Sequence, residues 1–219
     1  MIAARYRHWI FDLDNTLYPA SCRLFDQVEA RMGVFIADFL KVSPEEARAI
    51  QKRYFKEHGT TLRGLMVHHD LAPQRFLDYV HAIDVTALQP APALALALER
   101  LPGEKLVYTN GSTRHAENVM ARLGVSGCFD GIFDIAAADY LAKPEPKSYA
   151  KLVKRHAIDP TRAILFEDLP RNLAPAAALG MTTVLVKTDS EWAKDGLDGT
   201  PIDFVIEDLT AWLTEAAGG

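Results

Sequence analysis

The stretch "WIFDLDNTLYPA" (Trp9 to Ala20) makes two demands that conflict. Trp9, Ile10, Phe11 and Leu13 form an apolar run of the kind that builds a buried strand. Asp12 and Asp14 stand where that strand should end. Side chains two positions apart on a strand point the same way. The spacing therefore predicts that both carboxylates converge at the carboxyl edge of a sheet, where open α/β sheets bind ligands. Aspartates at strand ends also cap turns, so the pair alone decides nothing.

Further along, short apolar runs alternate with helical patterns. The first strand is expected over 7–13, and others over 105–109 ("KLVYT"), 131–135, 163–166 ("AILF"), 182–186 ("TTVLV") and 203–206. Helices are expected over 92–101, 114–123, 146–156, 172–179 and 209–217, with glycine or proline closing several of them. This alternation predicts an α/β fold, a doubly wound parallel sheet covered on both faces. One stretch departs from it. "RLFDQVEARMGVFIADFL", "SPEEARAIQKRYFKEH" and "PQRFLDYVHAI" all carry helical spacing, and Ser43 and Pro44 mark a helix start. That run is far longer than a crossover needs. The expected organisation is a core domain over 1–18 and 89–219, with a helical subdomain inserted over 19–88.

The bulk properties fit this reading. The 219 residues are 49% apolar and 24% charged, with a net charge of −5. No basic face for a nucleic-acid polymer is visible. Cys22 and Cys128 are too few for a disulfide scaffold and are expected to be free thiols. The amino-terminal residues lack the apolar segment of a signal peptide, and no apolar run reaches membrane-spanning length. A cytoplasmic location with no membrane partner is expected. The oligomeric state, monomer or dimer, is left open.

Other strand ends give the acid pair its meaning. "FEDLPRN" places Glu167 and Asp168 directly after "AILF". Like charges ~4 Å apart at an effective dielectric near 20 cost about 4 kcal/mol per pair. Capping bonds do not offset several such pairs, whereas a bound divalent cation does, and hard oxygen ligands suit magnesium. "YTNGSTRH" ends a strand at Thr109, followed by Asn110, Gly111 and a helix capped by Ser112 or Thr113. A hydroxyl and backbone N–H groups at such a turn form an anion cradle. In "LAKPEPKSY", Lys143 balances the charge of acids, dication and phosphate.

These four pieces, in this order, resemble the haloacid dehalogenase superfamily of aspartate-nucleophile phosphatases. "DLDNT" looks like its first motif, "TNG" its second, Lys143 its third, and "ED" with Asn172 its fourth. The resemblance implies that Asp12 attacks phosphorus and that Asp14 serves as general acid and base. Thr109 and the Asn110 N–H would hold the phosphoryl oxygens, and Lys143 would neutralise Asp12 and phosphate. Magnesium (Mg2+) would be held by Asp12, the Asp14 backbone carbonyl and Asp168, with Glu167 and Asn172 acting through metal-bound water. An acid at position 14 argues for phosphoryl transfer, because the dehalogenase branch lacks one there. Receiver domains use similar groups, but in a different order and without the helical insertion.

The small-molecule substrate is less legible. "FDLDNTLYP", "TTLRGLMVHHD" and "YTNGSTRHAENVMARLG" are similar to the pyrimidine 5′-nucleotidase group, which implies UMP or CMP as substrate. A phosphoglycolate or sugar-phosphate phosphatase, or a phosphotransferase like the β-phosphoglucomutases, is the alternative. Candidate substrate contacts are Tyr18, Arg63, His68, His69, Arg114 and His115, the last also read as a packing residue behind the site.

Overall fold

The computed structural model describes residues 2–188 and 199–218. Its centre is a sheet of β1 (His8–Phe11), β2 (Glu104–Tyr108), β3 (Gly131–Phe133), β4 (Ala163–Glu167), β5 (Thr182–Val186) and β6 (Phe204–Ile206), in the order β3-β2-β1-β4-β5-β6. All neighbours pair parallel. The chain runs outward to one side through β2 and β3, then restarts at β4 on the other side of β1. The carboxyl ends of β2, β1 and β4 therefore flank the switch point at which such sheets bind ligands.

Between β1 and β2 come α1 (Leu24–Leu40), α2 (Pro44–His58), α3 (Thr61–His69) and α4 (Pro73–Val80). They have their own apolar cluster, including Val28, Phe35, Tyr54, Leu65 and Phe76, which touches the rest of the chain at Ile135 and Ala142. Ser43 caps α2 as its sequence predicts: it accepts from the Glu46 N–H, and the Glu46 carboxylate accepts from the Ser43 N–H.

The two sheet faces follow from strand alternation. Trp9 and Phe11 join Val107, Phe166 and Val184 on one face, and Ile10 joins Leu106, Leu165 and Leu185 on the other. Phe11 and Phe166 stack across β1 and β4 with ring centroids 4.7 Å apart. The first face is covered by α5 (Pro92–Glu99), α6 (Thr113–Leu123) and, from the carboxyl-terminal end, a later helix over Leu209–Ala216. The second is covered by α7 (Pro146–Arg155) and α8 (Pro170–Ala178), which makes the Leu209–Ala216 helix α9. Cys22 and Cys128 are free thiols, as expected.

The structure shortens the first strand. The Asp12 N–H still reaches the Phe166 carbonyl at 2.9 Å, but Leu17 then bonds back to Leu13 at 3.0 Å and Asn15 adopts φ 62°. Asp12 thus stays bonded to β4 just past the strand while Asp14 begins a turn, so the same-face rule does not govern the pair. The strand expected over 131–135 likewise stops at Phe133, because Asp134 caps the next turn, accepting from the Ala137 N–H. The helix expected over 172–179 starts earlier, with Pro170 in its first turn.

One packing contact fixes the helical insertion. A Cβ added at Gly64 on α3 would lie 2.3 Å from the Tyr54 ring on α2. Tyr54 is buried, so neither side can yield cheaply. Gly64→Ala is expected to cost about 1–3 kcal/mol through overpacking, read as a thermal midpoint several degrees lower by calorimetry. An unchanged midpoint would show that the α2–α3 contact is not tight.

Candidate active site

The switch point gathers four groups from three adjacent strands. Asp12 follows β1, Thr109 follows β2, Glu167 ends β4 and Asp168 follows it. Lys143 comes from the loop between β3 and α7. It is 1% exposed, and its Nζ donates to Asp12 Oδ1 at 2.6 Å, Glu167 Oε2 at 2.6 Å and the Tyr108 carbonyl at 2.9 Å. All three ammonium donors are thereby used. The Asn110 side chain pins the loop, accepting from the Lys143 N–H at 2.8 Å and donating to the Lys143 carbonyl at 3.3 Å. Thr109 Oγ1 accepts from the Gly111 N–H at 2.9 Å, which leaves its hydroxyl proton to donate.

Burial and the neighbouring Glu167 push the Asp12 carboxyl up to about 7, against the lowering pull of Lys143. Burial first, then Glu167 and Asp12, push Asp168 well above the carboxylate range. One ammonium among three buried acids leaves a deficit of positive charge. Ligand atoms of Asp12, Glu167 and Asp168 lie within 4.8 Å of one another, close enough to share one cation. Asn172 Oδ1 is buried beside them and, among the described residues, has no hydrogen-bond partner. Carboxylate oxygens plus an unpartnered amide oxygen form the all-oxygen donor set of a hard divalent ion. These residues fit such an ion. Both Glu167 oxygens already accept hydrogen bonds, Oε2 from Lys143 Nζ at 2.6 Å and Oε1 from the Asp168 and Leu169 N–H groups at 3.2 Å.

The Asp14 carboxylate does not join the group. Its Oδ1 accepts from the Tyr18 hydroxyl at 2.6 Å and lies 2.8 Å from His115 Nε2. Burial alone would raise Asp14, but His115 and Tyr18 outweigh it and hold the carboxyl below its ordinary value. Burial would lower His115, and Asp14 outweighs it to raise the imidazole. The ring of His81, the residue after α4, stacks on His115 at 4.4 Å and 10°. His81 Nδ1 contacts Ser112 Oγ at 2.9 Å, and the same oxygen caps α6 by accepting from the His115 N–H. Burial and the adjacent His115 push His81 down to about 3.

A cavity of about 140 Å³ runs from Asp12, Thr109 and Lys143 to the inner faces of α1, α2 and α4. Several expected contacts lie off it. Arg63 is half-buried on α3, but Thr61 and Leu62 face the cavity, and helical rotation carries the next residue away. His68 and His69 lie at the far end of α3, about 10 Å along its axis, and are exposed. They pair with other residues of the helical insertion: His68 with His58 at 2.9 Å, and His69 with the Tyr54 hydroxyl at 2.8 Å. Arg114 is exposed in the first turn of α6. Tyr18 and His115 are buried but do not line the cavity; Asp14 takes both. Sequence reasoning missed His81, Gln51 and Phe55. Gln51 and Phe55 are four apart, so the helical spacing of α2 carried that signal; His81 stood beyond the end of its helix.

A family model described as "haloacid dehalogenase-like hydrolase" matches residues 6–180. "Phosphate metabolism protein 8" of Saccharomyces cerevisiae is 26% identical over 195 residues, 81% of this chain, and the match spans 60% of the yeast protein. "Fructose-1-phosphate phosphatase YqaB" of Escherichia coli is 28% identical over 192 residues, 84% of this chain and 97% of that protein. A haloacid dehalogenase-like family protein from Streptococcus pneumoniae shares the fold, with TM-score 0.64, 19% identity, and coverage of 97% of this chain and 99% of that one. The acids, the threonine and the buried lysine at one sheet edge sit within the matched span, and the chain belongs to the haloacid dehalogenase-like hydrolases.

Proposed function

We propose that the protein is a magnesium-dependent phosphomonoester hydrolase that forms an aspartyl-phosphate on Asp12, with pyrimidine nucleoside 5′-monophosphates as substrates. The observation that carries this reading is the buried Lys143 bound to Asp12 at 2.6 Å, inside a cluster of three acids that has room for one dication.

Asp12 attacks phosphorus. Lys143 holds it in place and keeps negative charge tolerable as phosphate arrives. Thr109 Oγ1 and the Asn110 N–H orient the phosphoryl oxygens. Asp12, the Asp14 backbone carbonyl and Asp168 would hold magnesium, with Glu167 and Asn172 just outside them, and its charge would allow these acids to stay ionised together and offset that of the phosphoryl group. A proton held on His115 Nε2 passes through Asp14, across the 2.8 Å contact, to the departing alcohol and leaves Asp14 ionised. Asp14 then accepts a proton from the water that opens the aspartyl-phosphate. The uncatalysed reaction is slow enough to need up to ~10²¹-fold acceleration, so positioning and charge compensation carry most of the effect.

The helices within 19–88 act as a cap over the leaving group. The cavity walls favour a flat, apolar ring: Phe25, Val28 and Met32 of α1, Phe55 of α2, and Phe76 and Leu77 of α4. The volume of about 140 Å³ is below the ~300–1,000 Å³ usual for drug-sized ligands, which favours one ring over a fused purine. A second reading, a sugar-phosphate substrate, draws support from the name of the Escherichia coli relative. It would leave sugar hydroxyls facing apolar walls, at about 1–3 kcal/mol for each unpaired group.

Asp14→Asn preserves the volume and the Tyr18 contact but removes the acid. Its kcat is expected to fall about 10²–10⁴-fold in a protein that still folds, read by circular dichroism; near-normal turnover would contradict the role. A panel of phosphate esters assayed with magnesium is expected to release phosphate fastest from UMP or CMP. A clear preference for fructose 1-phosphate or phosphoglycolate would establish the second reading instead.

A further inference from the structure

The cavity's end away from Asp12 is lined mainly by apolar side chains, with Glu29, Gln51, Thr60 and Thr61 among them. Gln51 on α2 is 9% exposed and lines the cavity among Val28, Met32, Phe55 and Phe76. Its own hydrogen bonds are poor. Nε2 lies 3.4 Å from the Glu29 carbonyl and 3.8 Å from Met32 Sδ. Among the described residues, Oε1 has no hydrogen-bond partner. A Cβ added at Gly33 of α1 would stand 3.6 Å from Oε1. A buried primary amide with an open acceptor and an underused donor is costly unless something completes it. Among the described residues no lining side chain bonds to Oε1, so what enters the cavity is the candidate to complete it.

We infer that Gln51 reads the hydrogen-bonding edge of the substrate's pyrimidine base. The inference rests on the nucleotide reading above and adds the residue that would enforce it. A primary amide presents a carbonyl acceptor beside an NH₂ donor. The uracil edge offers an N3–H donor beside a carbonyl acceptor, and the cytosine edge offers an N3 acceptor beside an amino donor. Rotating the amide by half a turn exchanges its two atoms, so one glutamine serves both bases. The flat faces of the ring then lie against the aromatic and thioether walls, and the sugar and phosphate extend toward Asp12 and Lys143. A site built to pair a polar edge rejects ligands that cannot complete the pair, because its own buried group is left unsatisfied.

The test compares UMP with 3-methyluridine 5′-monophosphate, which lacks the N3–H, on the purified, magnesium-supplied enzyme and on Gln51→Met. The wild type is expected to favour UMP in kcat/KM by about tenfold, the value of one neutral hydrogen bond. In Gln51→Met the two substrates are expected to converge to within twofold. A wild type that prefers UMP to fructose 1-phosphate yet accepts both nucleotides equally overturns the role of Gln51 alone. So does a variant that keeps the discrimination. A wild type that prefers sugar phosphates overturns the nucleotide reading, and this inference falls with it. If Gln51→Met does not fold, the wild-type comparison of the two nucleotides decides.

Discussion

Lys143 Nζ sits between Asp12 Oδ1 and Glu167 Oε2 at 2.6 Å from each, fully removed from water. A buried ammonium is tolerated only when its charge and its donors are all met. Three acceptors meet them here, from β1, β2 and β4 or the residues just after them. The lysine thus ties three strand ends into one site, and the Asn110 amide holds its loop from the other side. Removing one partner of such a pair typically costs about 3–5 kcal/mol. The geometry of the nucleophile and the stability of the sheet's centre share this interaction.

Asp12 and Asp14 are two residues apart yet sit in opposed environments. Burial among other acids raises the first to about 7, and an imidazole and a phenol hold the second below its ordinary value. Environments that separate two neighbouring carboxylates in this way are how one site assigns different roles to the same side chain. The turn that begins at Asp14 produces the divergence, since it carries Asp14 off the strand while Asp12 stays bonded to Phe166. His81 extends the arrangement. It follows α4, lines the cavity and stacks on the His115 that holds Asp14, so the helical insertion and the acid–base pair are in physical contact.

Much of this was legible in the chain. Apolar runs at regular intervals announced the parallel sheet, since buried strands must be apolar on both faces. The acids at 12, 14, 167 and 168, with Thr109 and Lys143, stood out because each occupied a strand end or the loop beside one. What stayed hidden depended on long-range geometry. No local pattern reveals that Asp14 turns to Tyr18 and His115, because Tyr18 lies four residues away and His115 lies on α6. Arg63, His68 and His69 drew attention as polar residues in a helical insertion, but a helix exposes most of its circumference, and these face away from the cavity. The residues that do line it, Gln51 and Phe55, resemble an ordinary amphipathic helix until the partner helices are placed.

The central claim is that the acid cluster around Lys143 is a site for one divalent cation. Calorimetric titration of magnesium chloride into metal-free protein, with Asp168→Asn as the comparison, tests it most directly. The account predicts one ion bound per chain in the wild type, with affinity reduced at least tenfold in the variant. Absence of binding in the wild type, or equal binding in both proteins, would contradict it.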